Sequence, residues 1–304
     1  MTAATRPALD SGLPTVRPAR LSTGTRTVLT AVLIVVCLCM LWEGLKAFSE
    51  SVGYALDVGG TTVDLTLFND AQLPHLSAIV GAFGEPSQRG GAPLYAMLFE
   101  NALYTFWAAL RGFAIGGVVG FALAVLFAHS RLLQRGLLPY VVASQTVPIL
   151  AIAPMVVIWM GRAGALEWSV PIIAAYLTFF PVTIYTLRGL TSVPATALEL
   201  MHSYAAGWWA ILIRLRIPNA MPQIFTALKI SATASVVGAI IGELPSGIQN
   251  GLGIAILNFS RYYNQSPPRL FATILAAGAL GIFFFVIVAL AERAIVRWRV
   301  QESL

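Results

Sequence analysis

Charge is what this sequence has least of. Charged residues make up 11% of the 304, against 58% hydrophobic. A soluble domain carries roughly 25% charged residues, so water is not the main solvent of this chain. Lysine is nearly absent. Lys46 and Lys229 are the two present, and neither sits in a Gly-Lys-Ser/Thr context. That excludes a phosphate-binding P-loop and, with it, ATP hydrolysis by the chain itself. Cysteine is confined to Cys37 and Cys39 inside one apolar run. Two residues apart on a helix they face different directions, so no disulfide framework or Cys/His metal cluster is readable. His75, His129 and His202 lie far apart, which leaves a histidine metal site unsupported. No Ser/His/Asp or Cys/His constellation stands out for catalysis. The net charge is +6, but the basic residues lie between apolar runs, where they orient a membrane protein rather than bind nucleic acid.

Long apolar runs are what the sequence has instead. Crossing a bilayer takes about 20 apolar residues in a helix, and six segments qualify or nearly do: 27–48, 99–128, 138–160, 168–187, 223–244 and 270–291. The fold class expected is an all-α integral membrane protein of about six transmembrane helices. The first run follows Arg17, Arg20 and Arg26. No small-residue cleavage site comes after it, so it reads as a retained anchor and not a signal peptide. Arginines fall on one side: Arg6, Arg17, Arg20 and Arg26, then Arg131 and Arg135, then Arg188, Arg214 and Arg216, then Arg293, Arg297 and Arg299. The positive-inside rule makes that side cytoplasmic and puts both termini there. The intervening stretch 49–98 carries Glu50, Asp57, Asp64, Asp70 and Glu85 against Arg89 and lies outside; Arg261 and Arg269 also fall outside and depart slightly from the rule.

The expected organisation follows from these runs. Residues 1–26, broken by Pro7, Pro14 and Pro18, read as a disordered cytoplasmic arm. Residues 27–48 form the first transmembrane helix. Residues 49–98 form an outer segment, with a possible short strand over 61–68 and an interfacial helix over 76–83. Residues 99–295 form a five-helix core, with a loop at 189–222, and residues 296–304 a cytoplasmic tail. Gly112, Gly116 and Gly120 recur every four residues in the second span, beside Gly117. Small residues at that spacing let two helices approach closely, within or between subunits. Pro148, Pro154, Pro171 and Pro181 fall in spans three and four, where proline bends helices that often surround a translocation path.

The loop between spans four and five is the most informative segment. Thr196 is placed to cap a short helix, with Glu199 three residues on in a capping-box arrangement. A turn near Ala206-Gly207 leads to a second helical stretch that Pro218 ends. From Glu199 to Pro218 this loop resembles the signature of permease subunits of bacterial binding-protein-dependent ABC importers. That signature is Glu-Ala-Ala, three residues, Gly, nine residues, Ile-x-Leu-Pro. Glu199, Leu215, Ile217 and Pro218 match in register; Leu200 and Met201 replace the alanines and Ala205 the glycine. The stretches Ala143-Ser-Gln-Thr-Val-Pro148 to Trp159, and Gly242-Glu-Leu-Pro-Ser-Gly247 with Gly251-Leu-Gly253, are similar to members linked to riboflavin and thiamine-precursor uptake. The order of spans resembles the nitrate, sulfonate and taurine branch.

The resemblance implies a multi-pass subunit of the bacterial inner membrane that works as a dimer of permeases, either two copies or one copy with a homologous permease. It implies a pair of separate ATPase subunits, which hold ATP and Mg, and an outer substrate-binding protein; the chain itself binds no cofactor. The hairpin becomes a coupling helix that docks on the ATPase through Glu199, Ser203, Tyr204, Ala205, Gly207, Trp208, Trp209, Arg214 and Pro218. Aromatic groups suit such an anchor, although Trp208 and Trp209 could instead sit at the membrane interface. Ser144, Gln145, Thr146, Ser231, Thr233 and Ser235 are candidates to line the path, or to bond neighbouring helices. Arg111 and Glu243 are expected to pair near an outer gate, or else to reach water independently. The substrate expected is a small organic or oxyanionic solute, with a lean toward an uncharged or aromatic metabolite. An ATP-independent carrier or channel and a membrane scaffold are the alternatives.

Overall fold

Apolar side chains can stay in a bilayer only on backbones that satisfy their own hydrogen bonds, and the runs above are helical. The computed structural model of the chain describes residues 23–58, 61–87 and 90–296. Most of the expected arm at 1–26, Arg89 and the tail after Val296 lie outside the described residues. The elements are α1 (Thr23–Ser51), β1 (Ala55–Val58), β2 (Thr61–Asp64), α2 (Leu76–Ala82), α3 (Leu94–His129), α4 (Arg131–Ser144), α5 (Ile149–Arg162), α6 (Ser169–Thr191), α7 (Ala195–Ser203), α8 (Trp208–Ile211), α9 (Ile217–Glu243), α10 (Leu252–Arg261) and α11 (Pro267–Ile295). The fold is an all-α multi-span membrane protein. The ribbon β1–β2 is antiparallel, with Ala55 opposite Asp64 and Val58 opposite Thr61.

Among the described residues, five helices are long and apolar enough to span a membrane: α1, α3, α6, the continuous run Trp208–Glu243, and α11. The third expected span is different. It is two helices, α4 and α5, bent 96° from one another. At 14 residues each they are roughly 21 Å long, short of the ~30 Å hydrocarbon core. Pro148 causes the break, because it has no N–H to give the carbonyl of Ser144 four residues before it. Tyr176 of α6 supplies the missing donor: its hydroxyl bonds that carbonyl.

Helix α6 is the centre of the bundle. A methyl group added at Gly112, Gly116 or Gly120 of α3 would lie 2.4 Å from Ala174 Cβ, 2.6 Å from the Ala175 carbonyl oxygen or 2.5 Å from that of Phe179. The four-residue glycine spacing therefore serves packing inside the chain. Gly238 of α9 meets an adjoining face of α6, where an added Cβ would fall 2.8 Å from Ala174 Cα. Backbones this close gain dispersion and weak C–H···O contacts, which drive association where water cannot.

Helix α1 stands apart. Leu29, Leu33, Met40 and Leu41 are all exposed, while Trp42 meets Phe271 of α11 edge-on. Its last turns carry polar links to the outer segment. Trp42 Nε1 donates to the Pro74 carbonyl, Lys46 to Asp70 and the Leu73 carbonyl, and Ser49 to the Leu65 carbonyl. Glu43 accepts from the Leu76 N–H at 2.7 Å and contacts His75, so it serves α2 as a remote cap. The fully buried Lys46 ammonium holds the Asp70 carboxyl below the usual carboxylate range.

Candidate functional site

Two structures at opposite ends of α9 carry the residues singled out in the sequence. Over 27 residues they are roughly 40 Å apart along the helix.

At the first end is the hairpin. Helix α7 starts at Ala195 after Pro194, with no side-chain cap. Thr196 thus lies inside the first turn, and the expected capping box with Glu199 does not form. Proline supplies the start instead, since it fixes φ and the first helical N–H groups have no intrahelical acceptor. The turn falls earlier than expected too. Ala205 takes φ 51°, the left-handed conformation, while Gly207 is extended at φ −69°. Ala205 stands where the signature has glycine and adopts the backbone that glycine takes cheaply.

Pro218 does not end the second arm. Trp208–Glu243 is one helical run, with a wider π turn at Leu212–Arg216 just before Pro218. A π turn rearranges the ladder where proline has no N–H to offer. The hairpin is therefore fused to the span. Two contacts fix it to the end of α3. Trp208 packs edge-on against His129 at 4.4 Å, and Arg216 donates to the Ala128 carbonyl at 3.0 Å, one of the last four carbonyls of α3.

The two tryptophans separate. Trp208 is half-buried in a cluster with Phe127, Leu190 and Leu212. Trp209 is 67% exposed, Tyr204 77% and Leu200 57%. Glu199, Ser203, Ala205, Gly207, Arg214 and Pro218 are exposed as well.

At the second end is a buried carboxylate. Glu243 closes α9 and is fully buried. Its Oε1 accepts from the Thr105 hydroxyl at 2.7 Å and its Oε2 from the Gly253 N–H at 2.7 Å. Thr105 Oγ1 in turn accepts from the Leu252 N–H at 2.9 Å, and Asn101 Oδ1 from the Gly251 N–H at 2.7 Å. The open N–H groups at the start of α10 are thus met by side chains of α3 and α9, with a carboxylate at the positive end of the helix dipole. Glycine is required here. Gly251 has φ 117°, and a Cβ on it would lie 2.3 Å from Glu243 Cδ. Ser246 closes the intervening turn, donating to the Glu243 carbonyl and accepting from the Ile248 N–H.

Arg111 and Glu243 are not brought together. The Arg111 guanidinium lies 5.7 Å over the Trp168 ring, and Glu243 has the partners just named. A desolvated carboxylate takes the fixed donors nearest it, and the exposed Arg111 keeps an aromatic face and solvent.

The polar residues of spans three and five divide. Ser231 is buried and donates to the Thr178 carbonyl of α6 at 3.2 Å, while the buried Ser235 bonds its own helix at Ala232. Both serve packing. Thr233 bonds Ile230 and is partly exposed. At the α4–α5 break, Ser144 Oγ bonds the Val141 carbonyl, and Gln145 and Thr146 are exposed.

Asn101, Thr105, Tyr176 and Arg216 are structural participants that sequence reasoning did not single out. The Gly251-Leu-Gly253 spacing was the one visible sign of the carboxylate cradle.

Residues 116–297 match the family described as binding-protein-dependent transport system inner membrane component. The chain is 30% identical over 226 residues to the riboflavin transport system permease protein RibX of Chloroflexus aurantiacus, covering 74% of this chain and 80% of that one. It is 32% identical over 191 residues to the formylaminopyrimidine transport permease protein ThiX of Halalkalibacterium halodurans, covering 63% and 74%. It is 30% identical over 227 residues to the putative aliphatic sulfonates transport permease protein SsuC of Escherichia coli, covering 74% and 81%. With its apolar helices and this match over more than half its length, the chain belongs to the binding-protein-dependent inner membrane components of ABC importers, as a multi-pass permease subunit of the inner membrane.

Proposed function

We propose that this permease subunit couples solute import to ATP hydrolysis on a separate ATPase subunit, and that the α7–α8 hairpin is the coupling element. The observation that carries the reading is the continuity of Trp208–Glu243. A push on the exposed Leu200, Tyr204 and Trp209 face is delivered to a spanning helix with no loop in between. ATP and Mg belong to the partner pair, an outer binding protein delivers the solute, and a second permease, identical or related, completes the path. The hairpin and both termini face the cytoplasm in this reading. Gln145 and Thr146, exposed at the break, are the residues of choice for the path.

The substrate class is a small organic solute, with a lean to an uncharged or aromatic one. Lys229, the one Lys or Arg in the runs 138–160 and 223–244, is held by Glu292 at 2.6 Å. An ion-coupled carrier would need an available carboxylate, and Glu243 is engaged as the cap of α10. The test is purification of the tagged chain from its native membrane in mild detergent. A stoichiometric co-purifying protein with Mg-dependent ATP hydrolysis is expected; a chain that supports uptake with no such partner would refute the proposal.

A further inference from the structure

Lys229 and Glu292 form the one ion pair that joins two spanning helices among the described residues, α9 and α11, at 2.6 Å. Their side chains are 23% and 16% exposed. On α9, Lys229 is flanked by Phe225, Leu228 and Ala232, and on α11, Glu292 lies one turn from Val288 and Val296; all belong to the same apolar cluster. An apolar seam of that kind would hold the helices together without any charge. Replacing a buried pair by apolar side chains is often neutral or stabilising. Stability alone therefore gives no reason for charges here. What charges add is register. Apolar ridges fit again after a slip of one turn, roughly 5.4 Å, whereas an ammonium and a carboxylate in an apolar seam find each other in a single alignment.

We propose that Lys229 and Glu292 are positioning residues: they lock the axial register of α9 against α11 where the middle of α9 meets the last turns of α11. The lock is built to open. Glu292 lies three residues from the end of α11, and both side chains retain some exposure, so each can reach the interface when the helices shift. Closed, the pair resists displacement of the hairpin arm along α11. That second role rests on the coupling function proposed above; the register role does not.

The test separates the two. Cysteine pairs are placed at facing positions of the α9–α11 seam in a Cys37→Ala, Cys39→Ala background, one pair in the register seen here and one a full turn out. Cross-linking is read on the full chain in membranes. With Lys229 and Glu292 intact, only the in-register pair should link. In the apolar double variant K229M/E292M the shifted pair should rise several-fold, with the amount of folded chain unchanged. The swap K229E/E292K should return the pattern to the in-register pair. A double variant that links only in register overturns the proposal, because packing alone then sets the alignment. A swap that behaves like the double overturns it as well. In the complex co-purified with its ATPase, adding Mg-ATP should raise the shifted pair. If no ATPase co-purifies, the coupling function fails while the cross-links on the chain still decide the register lock.

Discussion

Glu243 Oε2 and the Gly253 N–H meet at 2.7 Å across a ten-residue separation in sequence. This contact, with Thr105 on the other carboxylate oxygen, makes the end of one spanning helix the cap of the next helix.

Substitutions in this junction have unequal effects. Glu243→Ala leaves the Gly253 N–H buried without an acceptor, a loss of about 1–3 kcal/mol, while the Thr105 hydroxyl can turn fully to the Asn101 carbonyl at 3.1 Å. Glu243→Gln keeps one acceptor oxygen and should lose less. Gly251→Ala should be at least as damaging as the alanine at 243, since it forces a left-handed alanine and a 2.3 Å collision. Thermal unfolding of the detergent-purified variants measures the order. A Gly251→Ala protein as stable as the parent would show that the cradle is wrong.

The hairpin turn gives a test of opposite sign. Ala205 at φ 51° carries about 1–2 kcal/mol of left-handed strain. Ala205→Gly removes that strain and loosens the unfolded chain by a comparable amount, so stability should be unchanged or slightly higher. Ala205→Val places a β-branched side chain at positive φ, where it is a genuine outlier. It should speed proteolysis within the hairpin. Equal protease resistance of the valine and glycine variants would count against this turn geometry.

Neighbouring tryptophans should separate stability from docking. Trp208→Ala removes a half-buried ring packed on His129 and should lower the melting temperature of the chain alone, in line with a loss of about 3 kcal/mol for a large core truncation. Trp209→Ala removes an exposed ring and should leave melting unchanged while reducing the ATPase retained on purification. If both variants lost the partner equally at equal stability, the division of labour assigned to the two rings would be incorrect.

The outer segment should respond to acid late. Lys46 bonds Asp70 and depresses its carboxyl. A carboxyl lowered on folding contributes to stability above its unfolded value, about 3.9, and loses that contribution as pH falls through the depressed value. Amide protection around residues 69–76, read by hydrogen exchange with the intrinsic rate corrected for pH, should be flat between pH 7 and 5 and fall only below the ordinary carboxylate range. Asp70→Asn should weaken that protection near neutral pH and shrink its acid step.

The sequence was most legible where one helix could be read alone. Apolar length placed α1, α3, α6, α9 and α11, and the signature spacing placed the hairpin. What stayed hidden depends on partners far apart in the chain. Arg111 and Glu243 looked like a pair because each is a charge near a membrane boundary; Glu243 instead takes donors from residues 105 and 253, and no periodicity reports a contact of that separation. Pro148 announced a bend, but its 96° size and the rescue of the Ser144 carbonyl by Tyr176 belong to the packing of α6. Pro218 read as a stop because proline usually is one; the π turn before it, which lets the helix run on, has no composition signal. Thr196 read as a cap because threonine favours that position, and Pro194 starts the helix two residues earlier.

The glycine stripe of α3 also decides which parts of this protein are free to shift. Gly112, Gly116 and Gly120 bring α3 onto α6, and Gly238 brings α9 onto the same helix, at separations with no room for even a methyl group. Such an interface does not slide freely, because a shift of one residue would drive a side chain into backbone. The α3–α6–α9 trio therefore behaves as a chassis. Rearrangement is left to the pieces outside it: α1, tethered by its final turns; the α4–α5 elbow, where Ala153 is the single buried residue; and α11, whose apolar seam with the chassis holds one pair of charges.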